Sequence, residues 1–115
     1  MKINTSRTAG FTLVEIMIVV AIIGLLAAIA IPNFVKARTT AQKNSCIANL
    51  KQIDGAIQQW ALENKKATAD TVGSADYTPY LKGSQMPACP GGGTYASTTV
   101  GVTPTCTLST AGHTL

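Results

Sequence analysis

Few residues in this 115-residue sequence are equipped for chemistry, and they are widely spaced. Glu15 is followed by twenty uncharged residues before Lys36, and no Lys, Arg or His occurs from Thr8 to Val35 to neutralise it. An unpaired carboxylate in apolar surroundings either takes up a proton or demands a partner. A cut just before Phe11 would create one, an α-amino group four residues from Glu15. That amine would pair with Glu15 of its own chain or of a neighbouring copy, and in the second case Phe11 and Glu15 together set a register between subunits. Cys46, Cys89 and Cys106 offer disulfide chemistry, compatible with an oxidising compartment. A Cys89–Cys106 bridge would enclose sixteen residues and stabilise by ~3 kcal/mol in the loop-entropy model. Cys46 bridged to one of them is the competing pairing, and left unpaired it acts as a small apolar residue. Gly91-Gly92-Gly93 resembles a phosphate loop in glycine content only, because no Lys-Ser/Thr pair follows. His113 is the sole histidine, near an end expected to fray, and no carboxylate pair has a local partner. Nothing here assembles a base, a nucleophile or a metal cage, so the sequence predicts no enzyme and no cofactor.

The elements that carry these residues are legible from patterning. Twenty helical residues at about 1.5 Å each span the ~30 Å of a bilayer core, so the run after Glu15 reads as a transmembrane or filament-core helix over 11–35. An ordinary secretory signal would use Lys2 and Arg7 as its basic region and Ala28-Ile29-Ala30 as its cleavage site. Against it stand Glu15, which costs about 2–3 kcal/mol on insertion, and helical patterning that continues past Trp60. Over 36–66 the pattern becomes amphipathic: Cys46, Leu50, Ile53, Ile57 and Trp60 step by 4, 3, 4 and 3 along one face. Lys43, Lys51, Gln52, Gln58, Gln59 and Glu63 fall on the other. A continuous helix from Phe11 to Asn64 would be about 80 Å long, which a filament subunit uses and a soluble domain of this size does not. Trp60 reads as the bulky anchor on which the C-terminal region packs.

Residues 67–115 are rich in Thr, Gly, Ser and Pro and read as loops with short strands. Thr78-Pro79-Tyr80-Leu81-Lys82-Gly83 has the order of a single helical turn. Thr94–Val100 and Val102–Leu108 meet at Gly101 and predict an antiparallel hairpin with Pro104 on its edge. Of nine Lys and Arg, Lys2 and Arg7 lie in the first ten residues, leaving a formal +2 over 11–115. No basic run exceeds Lys65-Lys66, so no nucleic-acid partner is expected.

Gly10-Phe11-Thr12-Leu13-Val14-Glu15, ten residues from the N-terminus and followed by an unbroken apolar run, resembles the signature of type IV prepilins and type II secretion pseudopilins. The resemblance covers roughly residues 7–40. It implies that 1–10 is a leader peptide, removed between Gly10 and Phe11 by a prepilin peptidase that also N-methylates Phe11. It implies a bacterial inner-membrane protein with its C-terminal region in the periplasm, then extraction by an assembly platform and its ATPase into a homo-oligomeric helical filament. It further implies that the segment from Gly24 to Pro32, bounded by two helix-weakening residues, melts when subunits pack. Major pseudopilins often hold calcium on clustered acids; only Asp70 and Asp76 are available here, so no metal is expected.

The fold class expected is α+β and pilin-like: a long N-terminal α-helix, half membrane span and half amphipathic, with a small C-terminal antiparallel β-hairpin region over 67–115. The function expected is that of a filament subunit. The competing reading is a minor pilin at a filament tip that binds DNA or a surface, for which the C-terminal region offers only Lys82, Tyr77, Tyr80 and Tyr95.

Overall fold

The computed structural model describes residues 9–115. Eight of the ten positions assigned to a leader lie outside the described residues. The architecture is α+β, one long helix followed by a two-stranded antiparallel sheet and short helical turns. Helix α1 runs over Leu13–Glu63, 51 residues, with Pro32 inside it. The chain divides into two compact units, Met1–Lys36 and Ala37–Leu115.

In the first unit the helix begins at a reciprocal cap. The Glu15 N–H donates to Thr12 Oγ1 and the Thr12 N–H donates to Glu15 Oε2, each at 3.2 Å. This Thr-x-x-Glu capping box satisfies two of the donors that every helix start leaves unpaired. The carboxylate read as lacking any local partner therefore has one in the backbone. From Ile16 to Val35 the helix has no buried residue, and Ala27 alone is half-buried. It is the one helix among the described residues long and apolar enough to cross a membrane.

In the second unit the amphipathic face is the core. Cys46, Leu50, Ile53 and Ile57 are fully buried, and the six polar residues assigned to the opposite face are all exposed. Two clusters pack on it. Ile53, Ala56, Ile57 and Ala61 meet Val72, Tyr77, Leu81 and Val100, with Trp60 packed alongside. Cys46 and Leu50 meet Cys89 and Cys106, flanked by Tyr95 and Leu108. Side-chain amides from α1 hold the loops over these clusters: Gln58 Nε2 donates to the Val100 carbonyl at 2.9 Å, and Asn49 Nδ2 to the Ala88 carbonyl at 3.1 Å and the Tyr95 hydroxyl at 3.0 Å.

The helix stops one to three residues before the predicted end, through a Schellman arrangement. Lys66 N–H donates to the Ala61 carbonyl at 2.9 Å and Lys65 N–H to the Leu62 carbonyl at 3.4 Å. Lys65 takes the left-handed conformation, φ 53°, that glycine usually supplies, so no glycine marked the stop in the sequence.

Helix α2, Ser74–Tyr77, goes beyond the single turn expected, and Thr78 is both its C-cap and the first residue of the turn that follows. A 3-10 turn follows over Thr78–Tyr80 with Pro79 near its start, and a second over Lys82–Ser84 turns through Gly83 at φ 73°. The hairpin is shorter than its sequence suggests. Strands β1, Tyr95–Ala96, and β2, Thr105–Cys106, pair Tyr95 with Cys106 and Ala96 with Thr105. Beyond that point the backbone donors go elsewhere: Val100 N–H to Asp70 O at 3.0 Å and Gly101 N–H to Thr68 O at 2.8 Å. A Thr71–Thr99 bridge continues this second pairing. The segment after α1 thus captures what would have been the hairpin tip, and Pro104 is buried instead of lying on an open edge.

Candidate functional site

Two places in the chain gather the residues singled out above. The first is the helix start. Phe11 is 85 % exposed, one residue before the Thr12 N–H that caps Glu15. Past it, every large aliphatic and aromatic side chain from Ile16 to Val35 is exposed. A continuous apolar surface on this scale marks contact with lipid or with other chains. Gly24 has open space around it and Pro32 sits within α1, so both helix-weakening positions are helical in the isolated chain.

The second place is the cysteine cluster. Cys46 comes from α1, Cys89 from the Pro-Gly-Gly-Gly turn, and Cys106 from β2. All three are free thiols, with Cys89 and Cys106 sulfurs 3.8 Å apart against the ~2.05 Å of a bond. His113, expected in a frayed end, is 5 % exposed, and its Nδ1 lies 3.7 Å from Cys89 Sγ. A 3-10 turn over Ser109–Ala111 closed by Gly112 at φ 86° brings it there. The Cys46, Cys89, Cys106 and His113 donor atoms all lie within 4.8 Å of one another.

The glycine run belongs to this cluster. A Cβ on Gly93 would come within 2.7 Å of Cys106 Sγ, and one on Gly91 within 2.9 Å of Leu108 and 3.1 Å of His113. Burial opposes ionisation of Cys89, but the Gly93 and Gly91 backbone N–H groups and the Cys46 and His113 side chains outweigh it and bring the thiol down to about 6. Cys46, on the apolar face of α1, is pushed up to about 12, chiefly by burial. Sequence reasoning missed this grouping because the ligand spacings are long and irregular. The nearest signal was the presence of three cysteines and a single histidine.

Other candidates are used locally. Asp70 accepts the Ala67 N–H at 2.7 Å and Asp76 the Gly73 N–H at 2.8 Å, each as a turn cap. Tyr77 is buried and Tyr80 bonds the Glu63 carboxylate, which raises the Tyr80 pKa. Lys66 lies over the Trp60 ring at 5.9 Å. Of the three tyrosines, Tyr77 is buried and Tyr80 and Tyr95 are half-buried.

Comparison with known proteins bears on the first place. Residues 5–31 match the prokaryotic N-terminal methylation motif. Over 60 residues, 52 % of this chain, the sequence is 48 % identical to the type IV major pilin protein PilA of Myxococcus xanthus, covering 27 % of that protein. It is 35 % identical over 60 residues to type II secretion system core protein G of Klebsiella pneumoniae, covering 43 % of it. The type IV major fimbrial protein FimA of Dichelobacter nodosus is 45 % identical over 68 residues, 59 % of this chain and 42 % of FimA. The matches thus span less than half the length of these relatives. No solved structure matches the chain. Motif and relatives together make the N-terminal half of the chain similar to that of type IV pilins and type II secretion pseudopilins.

Proposed function

We propose that this chain is the structural subunit of a type IV pilus-like filament or a type II secretion pseudopilus. A prepilin peptidase removes residues 1–10 at Gly10–Phe11 and methylates Phe11. The precursor sits in the bacterial inner membrane through residues 11–35, with the amphipathic helix 36–66 and the small region 67–115 on the periplasmic side. An assembly platform and its ATPase then draw subunits out of lipid into a homopolymer.

The observation that carries this reading is the exposed apolar surface of residues 16–35. At about 25 cal/mol per Å2, leaving so many aliphatic side chains in water is untenable, so lipid or neighbouring helices must cover them. The capped Glu15 suits the second environment: desolvated among packed helices, its carboxylate gains most from the Phe11 amine of an adjacent subunit. Gly24 and Pro32 would let the intervening turns extend when that packing requires it.

The test is Glu15→Ala in cells carrying the assembly machinery. Membrane insertion and leader removal should persist while filaments vanish from electron micrographs. Filaments of normal number and length from the variant would refute the register role.

A further inference from the structure

The geometry points to a structural zinc site formed by Cys46, Cys89, Cys106 and His113. The four donors are three sulfurs and one imidazole nitrogen, the set that selects zinc over calcium or magnesium. Tetrahedral zinc with Zn–S about 2.3 Å and Zn–N about 2.0–2.1 Å requires sulfur pairs about 3.8 Å apart and sulfur–nitrogen pairs about 3.6 Å apart. Cys89 and Cys106 sulfurs are 3.8 Å apart and the Cys89 sulfur is 3.7 Å from His113 Nδ1. No donor is more than 4.8 Å from another. A disulfide between any two would draw its sulfurs to ~2.05 Å and leave the third thiol and the imidazole without a partner.

The surroundings are those of a closed site. Each ligand is at most 6 % exposed, and all four come from the protein, leaving no open position for substrate. The Cys89-Pro90-Gly91-Gly92-Gly93 turn folds back on itself, with Gly92 N–H donating to the Cys89 carbonyl at 2.9 Å and Gly92 at φ 88°. The turn keeps Gly91 close to the Cys89 sulfur, 3.8 Å from where a Cβ on Gly91 would lie. A Cβ at Gly93 would meet the Cys106 sulfur at 2.7 Å, and one at Gly91 would meet Leu108 at 2.9 Å and the His113 ring at 3.1 Å. Three thiolates and a neutral imidazole leave the zinc centre with one net negative charge, and the Lys43 side chain lies against Gly112, next to His113.

The ion would tie four separate segments together: α1 at Cys46, the glycine turn, β2 and the C-terminal residues. Such stapling suits a region whose core is small. The site stands independently of the filament reading, since it uses none of residues 11–36.

The experiment is metal analysis of the full chain purified in detergent without chelator or added oxidant, with zinc K-edge absorption on the same sample. The result expected is close to one zinc per chain, in a shell of three sulfurs and one nitrogen. Cobalt substituted for zinc should show the visible bands of tetrahedral coordination and a sulfur-to-cobalt charge-transfer band. In His113→Ala the cobalt affinity should fall by at least about tenfold. Asp70→Asn with Asp76→Asn should leave metal content unchanged. The proposal is overturned by a chain with negligible zinc and no cobalt spectrum, or by an intact mass two hydrogens lighter with Cys89 linked to Cys106. The wild-type measurements stand even where a ligand variant fails to fold.

Discussion

Ile57→Ala is the substitution that best separates the two kinds of apolar residue in this chain. Ile57 is fully buried, in the cluster of Ile53, Val72, Tyr77, Leu81 and Val100. Truncating a fully packed isoleucine costs about 2–5 kcal/mol, the lost transfer energy plus the cavity left behind. At about 0.05–0.15 kcal/mol per residue, a unit the size of Ala37–Leu115 has roughly 4–12 kcal/mol in total. One methyl-bearing side chain thus accounts for a large share of its stability. Ile29, in the run after Glu15, is 61 % exposed, and Ile29→Ala should change the same unit by less than about 0.5 kcal/mol. Trp60, the single tryptophan, packs against the Ile57 cluster and reports on it directly. Urea unfolding of the full chain in detergent, followed by Trp60 fluorescence, has a slope of about 1 kcal/mol per M for this size. The midpoint should fall by about 2 M or more for Ile57→Ala and hardly move for Ile29→Ala. Equal effects, or a larger one at Ile29, would refute the division of labour between a core-forming half and an assembly-forming half of the helix.

Four further outcomes follow from particular positions. Thr12→Ala removes one half of the capping box and should loosen the first turn by about 1 kcal/mol, seen as faster amide exchange at Glu15 and Ile16 with later residues unchanged. Gly93→Ala sets a Cβ within 2.7 Å of Cys106 Sγ and 3.0 Å of Leu108, and should lower stability by about 1–3 kcal/mol in the same urea assay. Gly24→Ala meets open space and should leave that midpoint in place. Tyr80 is held protonated first by its bond to Glu63, so spectrophotometric titration should find it ionising above the ordinary tyrosine value. Glu63→Gln should bring that titration back down. Because the folded value is raised, any stabilisation from this contact is present below the ordinary tyrosine pKa and lost as pH climbs through the raised one.

Periodicity made the helix and its buried face legible, because a 3.6-residue pattern needs only local sequence. The pattern picks out Cys46, Leu50, Ile53, Ile57 and Trp60; the first four are fully buried and Trp60 is half-buried beside them. The stop at Glu63 was less exact, since Lys65 adopts the left-handed cap without a glycine to announce it. The hairpin shows what local reading misses. Both strands and their antiparallel pairing were visible in the Thr/Val/Tyr runs, but the competing claim on Val100 and Gly101 comes from Thr68 and Asp70, some thirty residues away. Such long-range backbone pairing leaves no periodic trace. The capping box at Thr12–Glu15 was present in the sequence as Thr-x-x-Glu, yet Glu15 was weighed only for charged partners, which hid the backbone one.

The cysteines are the instructive case. Counted along the chain they suggest one bridge and a spare, because sequence separation ranks cysteine pairs and does not bring His113 beside them. Folding puts Cys46 beside Cys89 and Cys106 through the helix face, and Gly112 turns His113 inward to join them. Two glycines of the run that resembles a phosphate loop lie against the same cluster: a Cβ on Gly93 would meet the Cys106 sulfur at 2.7 Å, and one on Gly91 would meet Leu108 at 2.9 Å and the His113 ring at 3.1 Å.

The measurement closest to the central claim is the N-terminus of the mature protein in cells that make the filament. Intact mass and N-terminal sequencing should find a chain that begins at N-methyl-Phe11, with Glu15 four residues on. A chain beginning at Met1, or one cut near Ile31, would contradict the account.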